Sequence, residues 1–106
     1  MTKEDIAHLF SAHGTASFRR MFGGTAIYVS GRIIGMELAG DLLLKGDLQT
    51  REAYELGGLK QWGYRHAKTD RQVMMPYWVV PPEALDDHDR MDTWANLAWQ
   101  AASRAK

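Results

Sequence analysis

ASFRRMFGGTAIYVSGRIIGMELAGDLLLK, residues 16–45, is the stretch on which the fold turns. Gly23-Gly24, Ser30-Gly31 and Gly40-Asp41 punctuate it at short intervals, and such pairs mark tight turns. Between them lie short runs rich in Ile, Val, Leu, Met and aromatic residues. Runs of this kind joined by tight hairpins form a meander of antiparallel strands. Such sheets usually bury one face and expose the other. Alternation predicts Ile27, Val29, Ile34, Met36 and Leu38 on the buried face. Tyr28, Ile33, Gly35 and Glu37 then take the second face, with Lys45 beside them if it keeps that parity. A second face that mixes aromatic and charged groups, left bare of helices, is the natural place for a ligand or partner.

Working outward, Thr2 followed by Asp5 suits a helix start, a hydroxyl cap and then a carboxylate in the first turn. Ile6, Leu9, Phe10 and His13 follow at helical spacing, and Gly14 ends the helix. Downstream, Asp47 or Thr50 caps a short second helix through Arg51, Tyr54 and Glu55, closed by Gly57-Gly58. Trp62 to His66 and Gln72 to Val80 read as two more strands around the polar turn Lys68-Thr69-Asp70-Arg71. Pro76 lacks an N–H, so the last strand has an edge or an irregularity there. Pro81-Pro82 stops it. Asp86, Asp87 and Asp89 crowd the start of a final helix whose apolar stripe is Met91, Trp94, Ala95, Ala98, Ala101 and Ala102. The expected architecture is α+β: one domain over residues 1–106, two layers, helices on one face of an antiparallel sheet, in the order α-β(3–4)-α-β(2)-α.

Bulk composition sets limits. The chain has 106 residues, enough for one core. It contains no cysteine, which excludes disulfides, thiolate zinc sites and thiol nucleophiles. Its formal charge is zero, so broad electrostatic attraction to nucleic acid or membranes is weak. The acidic start Met1-Thr2-Lys3-Glu4-Asp5 lacks the apolar core of a signal peptide. No apolar run approaches the ~20 residues of a membrane span. A cytoplasmic location is expected.

Four groups of residues are candidates for chemistry. Arg19 and Arg20 point to opposite faces of a strand, and Arg20 shares its parity with Phe18 and Phe22. An arginine there suits an anionic partner; the plainer alternative is an ion pair with Glu37 or stacking on a ring. Gly23-Gly24 leads into a strand and no lysine follows, so it is a hairpin turn rather than a phosphate loop. Trp62, Tyr64, Tyr77 and Trp78 lie near Lys60, Arg65, His66, Lys68 and Arg71, the interleaving of rings and cations that stacks bases. The alternative is that the rings fill core and the charges rim a hairpin; at least one of the adjacent Tyr77 and Trp78 is core. His8, His13, His66 and His88 are scattered, and the aspartates around His88 already serve a helix start. No nucleophile elbow and no paired carboxylates are present. Neither an enzyme, a cofactor nor a metal is expected from these residues.

Arg19-Arg20-Met21-Phe22-Gly23-Gly24, the Tyr28-Val29-Ser30-Gly31 hairpin, Leu42-Leu43-Leu44-Lys45, Met75-Pro76-Tyr77-Trp78 and Glu83-Ala84-Leu85-Asp86-Asp87 together resemble the TfoX N-terminal domain family of bacterial competence regulators. The resemblance runs from about Phe18 to the last helix. It implies a two-layer α/β domain similar in topology to secretion-chaperone-like folds. Full-length regulators of that type are similar to this chain in their first half, carry a further C-terminal helical domain, and act as co-activators with the cyclic-AMP receptor protein. The resemblance supplies no catalytic residues. The resulting expectation is a non-enzymatic interaction module in transcriptional regulation, with a protein partner of the transcription machinery or the cyclic-AMP receptor type. A second copy, bound face to face or edge to edge, is the other protein partner considered. The expected contact set is Arg19, Arg20, Tyr28, Lys45 and Trp78. The alternatives are nucleic-acid binding through Lys60, Arg65, Lys68 and Arg71, and a small-molecule binder or enzyme built around a pocket.

Overall fold

The computed structural model describes residues 1–21 and 23–105. Among them the order is α1 (Lys3–Leu9), β1 (Ala16–Met21), β2 (Gly24–Val29), β3 (Arg32–Leu38), β4 (Asp41–Lys45), α2 (Arg51–Leu56), β5 (Lys60–Arg65), β6 (Gln72–Val79), a 3-10 turn (Pro82–Ala84) and α3 (His88–Arg104). The strands form one antiparallel sheet in the order β1-β2-β3-β4-β6-β5. The β2–β3 turn is Ser30-Gly31, with φ of 50° and 79°. The β3–β4 turn is Ala39-Gly40, with φ of 52° and 87°, one residue earlier than Gly40-Asp41. Two positive φ values in succession give the turn hand that matches the right-handed twist of the strands.

Local chemistry fixes the helix ends. Thr2 Oγ1 accepts from the Asp5 N–H at 3.1 Å and Asp5 Oδ2 accepts from the Thr2 N–H at 3.0 Å, a reciprocal cap. The Asp47 carboxylate accepts from the Gln49 and Thr50 N–H groups ahead of α2, and Thr50 Oγ1 accepts from the Asp47 N–H. Asp87 caps α3 through the Arg90 N–H at 3.2 Å. All six residues of the expected α3 stripe are buried. All but Ala101 join Ile6, Phe10, Tyr54 and Ala84 against Ile27, Val29, Ile34, Leu42, Leu44 and Trp78. Each large side chain buried there stabilises the fold by about 1.5–3 kcal/mol. The helical residues of this cluster therefore pack on one face of the sheet.

A β-bulge changes which residues occupy the other face. Tyr28 pairs with Ile33, but Ile27 pairs with Gly35, leaving Ile34 as an extra residue. Ile33 and Ile34 point to opposite faces, and the alternation is inverted from Gly35 onward. Ile27, Val29 and Ile34 face the helices as their spacing predicts. Met36 and Leu38 do not: they lie on the opposite face with Leu43 and Tyr77. Gly35 and Glu37 correspondingly take the helix-side parity. Gly35 sits hard against β4, where a Cβ would come within 2.4 Å of the Leu43 carbonyl oxygen.

The irregularity at Pro76 lies in the sheet interior, because β6 runs between β4 and β5. Gln61 pairs with Trp78 and Gly63 with Met74, so Met75, Pro76 and Tyr77 together oppose Trp62. The missing Pro76 N–H falls in this break, while its carbonyl accepts from the Gly46 N–H at 2.9 Å.

Candidate functional site

The sheet face away from the helices has an apolar floor. Met36, Leu43 and Tyr77 are 2%, 1% and 7% exposed, although their cluster contains no helical residue among those described. Their neighbours bury them: Ile33 and Leu38 from β3, Val79 and Met75 from β6, and Trp62 from β5. The cross-strand pairings Met36–Leu43, Leu43–Val79 and Lys45–Tyr77 set this row across the sheet. By the same parity β1 contributes Arg19, β2 Tyr28, and β5 Lys60 and Tyr64.

Cations lie on the rings of this face. The Arg19 guanidinium sits 5.6 Å from the Tyr28 ring centre, and Lys45 Nζ sits 5.3 Å from that of Tyr77. Each such contact is worth about 0.5–1 kcal/mol when exposed. Partial burial pulls the Lys45 ammonium below its ordinary pKa, with Asp47 opposing the shift. Burial likewise pushes the Tyr77 hydroxyl upward, so it stays neutral. The strands carry two carboxylates, Glu37 and Asp41. Glu37 has the helix-side parity, and Asp41 stands at the rim opposite Leu38. The open face is apolar in the middle and predominantly cationic around it.

Arg19, Tyr28 and Lys45 are thus brought to one surface. Arg20 is not: it pairs with Thr25 on the opposite parity and lines a shallow cleft with Glu37 at the β1–β2 hairpin. It forms no ion pair with Glu37 among the described residues, whose ion pairs are Arg51–Glu55, Arg65–Asp70 and Arg104–Asp47. Phe18 shares this side, under Lys3 Nζ; Phe22 lies outside the described residues. Trp78 leaves the contact set altogether. It is 3% exposed in the helix-side core, and its Nε1–H donates to Glu55 Oε2 at 3.2 Å. The pairing of Leu44 with Trp78 fixes that side.

The residues of the nucleic-acid alternative do not converge. Lys60 faces the open side. Arg65 donates to the Asp70 carbonyl at 2.8 Å and pairs with its carboxylate at 3.6 Å, closing its own hairpin. Lys68 and Arg71 are exposed around that turn. The rings do gather: Trp62, Tyr64 and Tyr77 share the open face. The histidines remain apart, with His13 stacked on Trp99 at 5.2 Å. Among the described residues no group of three His, Asp or Glu side chains is placed to hold a metal ion, and no helix is long and apolar enough to cross a membrane.

Sequence reasoning missed Met36, Leu38, Met75 and Val79 as parts of this surface. Gly35 in the middle of a strand was the available signal, since an interior glycine often marks a bulge.

The chain belongs to the TfoX N-terminal domain family, whose model matches residues 8–102. No curated protein matches it.

Proposed function

We propose that this protein is a docking module whose open sheet face binds an acidic surface of a protein partner. The observation that carries the reading is the composition of that face. Arg19, Lys45 and Lys60 surround an apolar floor; of the two strand carboxylates Glu37 is turned away, and Asp41 stands on this side only at the β3–β4 rim, opposite Leu38. A partner presenting Asp and Glu around apolar side chains complements both features. Family membership favours a partner in transcriptional regulation, and a regulator of the cyclic-AMP receptor type is the first candidate to assay. Competence itself belongs to this proposal. The role is non-catalytic and needs no cofactor.

The test begins with affinity capture by the wild-type chain and by an Arg19→Glu/Lys45→Glu double variant. A captured protein is then purified and titrated against chain labelled at its methionine methyls. The expected result is a shift of the Met36 and Met75 resonances and at least tenfold weaker binding by the double variant. The reading fails if binding is indifferent to both substitutions, or if the shifts map to the helices. A concentration-dependent dimer that hides Met36 and Met75 would assign the face to a second copy and also overturn it.

A second reading places single-stranded nucleic acid on the same face. The Trp62–Tyr64 ring pair, 5.8 Å apart and next to Lys60, favours it. It requires steeply salt-dependent oligonucleotide binding. Absence of binding at low salt dismisses it.

A further inference from the structure

One part of the open face is concave. Met36, Trp62, Tyr64 and Met75 line a slot of about 400 Å³. Met36 is its buried floor, Trp62 and Met75 are half-buried walls, and Tyr64, 43% exposed, stands at its mouth. The four residues come from three strands, β3, β5 and β6, although β3 does not border the other two. The slot depends on the bulge at Ile34, which turns Met36 to this face. Met75 shares the face by ordinary alternation with Tyr77 and Val79, and the break at Pro76 changes only its register, setting it opposite Trp62.

The lining is also chemically specific. Two thioethers and two rings form an apolar, deformable wall with no charged group among them. Methionine adapts to side chains of different shape, and aromatic residues provide most of the energy at anchor points. The nearest cations flank the slot. Lys60 lies two residues from Trp62 along β5, and Lys45 pairs with Tyr77, two residues from Met75 along β6. Two residues of strand span about 7 Å, so a charge sits one short step away on either side.

We propose that this slot takes one bulky apolar side chain from an acidic segment of the partner, whose Asp or Glu residues lie within about three positions of that anchor and reach Lys45 and Lys60. The inference rests on the docking reading above and specifies the partner's recognition motif. Arg19 on β1 is five strand spacings from the rings on β5, roughly 24 Å away, and two spacings, roughly 10 Å, from Met36 at the slot's other end, so it ranks behind Lys45 and Lys60 for a peptide anchored between the rings.

The test is selection of a random twelve-residue peptide display library against the folded full chain. Recovered peptides are synthesised and titrated against four variants: Tyr64→Glu, Lys60→Glu, Lys45→Glu and Arg19→Glu. Tyr64 and Lys60 are exposed, and circular dichroism verifies that each variant is folded. The expected peptides carry one Phe, Trp, Leu or Met with carboxylates close on both sides. They lose at least tenfold in affinity to Tyr64→Glu and several-fold to each lysine variant, and lose less to Arg19→Glu than to either lysine variant. Peptides that bind Tyr64→Glu as tightly as wild type but depend on Arg19 and Lys45 would overturn the anchor and leave the docking face standing. Peptides indifferent to all four substitutions would overturn both. Recovery of no peptide, or of peptides without acidic residues, would overturn the anchor.

Discussion

Gly46→Ala tests how rigidly the helix layer is locked to the sheet. Gly46 is buried where β4 gives way to the approach to α2. A Cβ there would lie 2.5 and 2.6 Å from two Trp78 ring carbons and 2.9 Å from a Tyr54 ring carbon. Neither ring is free to retreat. Trp78 is tied to Glu55 through Nε1 and packs 5.7 Å from the Tyr54 ring. Tyr54 donates its hydroxyl to the Lys45 carbonyl at 2.7 Å. Burial pushes that hydroxyl well above its ordinary pKa, so it remains a donor at any working pH. The methyl must therefore force the rings off their preferred positions, at a cost of about 1–3 kcal/mol. For a chain of this size that lowers Tm by roughly 4–13 °C. Thermal unfolding followed by circular dichroism measures it. The decisive control is the same substitution in a Trp78→Leu background, where the nearer ring is gone and the Tyr54 carbon at 2.9 Å remains. There Gly46→Ala should cost clearly less than in the wild type, and the difference is the coupling between the two sites. A full penalty in both backgrounds, or none in either, would refute the account of a ring-locked junction.

Three further outcomes follow from the same framework. Trp94→Ala removes a ring that is 4% exposed and lies against Gly57; it should destabilise by about 3–5 kcal/mol, and a near-neutral melting shift would show that α3 docks otherwise. Ala39→Gly should stabilise by about 0.5–1 kcal/mol, read as a higher denaturation midpoint, because Ala39 holds a φ of 52° that glycine adopts without strain. The Arg104 guanidinium and the Thr50 and Gln49 N–H groups hold the Asp47 carboxyl below its ordinary value of 3.8. A group depressed in the folded state contributes stability above its unfolded pKa and loses it as pH falls through the folded value. Urea midpoints of wild type should therefore drop more steeply than those of Asp47→Asn as pH falls from about 5 to 2, and parallel profiles would refute the role given to the Asp47–Arg104 pair.

The order of elements was legible because it depends on local chemistry. Thr2 with Asp5, Ser30 with Gly31, and Asp87 before Arg90 each act within four residues, and the structure places each where its spacing implies. The α3 stripe was equally readable, because a single apolar face repeated over 17 residues has only one side to bury. Pro76 announced an irregularity through its missing donor, but not its place in the sheet. The order β4-β6-β5 is decided by long-range pairing that no local residue encodes. Trp78 was misplaced for the same reason. Its neighbour Tyr77 is just as aromatic, and only the pairing of Leu44 with Trp78 and of Lys45 with Tyr77 settles which ring enters the core.

The open face illustrates how one inserted residue redirects an entire surface. Under unbroken alternation Met36 and Leu38 would face the helices, while Gly35 and Glu37 would face outward. The surface would then present a glycine and a carboxylate next to Lys45. With Ile34 bulged, the same sequence presents Met36 and Leu38 instead and turns Glu37 to the far side. The change converts a weakly apolar, mixed-charge face into an apolar floor ringed by Arg19, Lys45 and Lys60. It also leaves the helix-side core intact, since Ile34 still fills it. A bulge that served packing alone would need no apolar residues on the side away from the helices. Here the residues after the bulge on that side are Met36 and Leu38, large and hydrophobic, and they continue the row through Leu43 and Val79. That continuity across strands, on a face no described helix covers, is the physical ground for reading the surface as one built to be covered by something else.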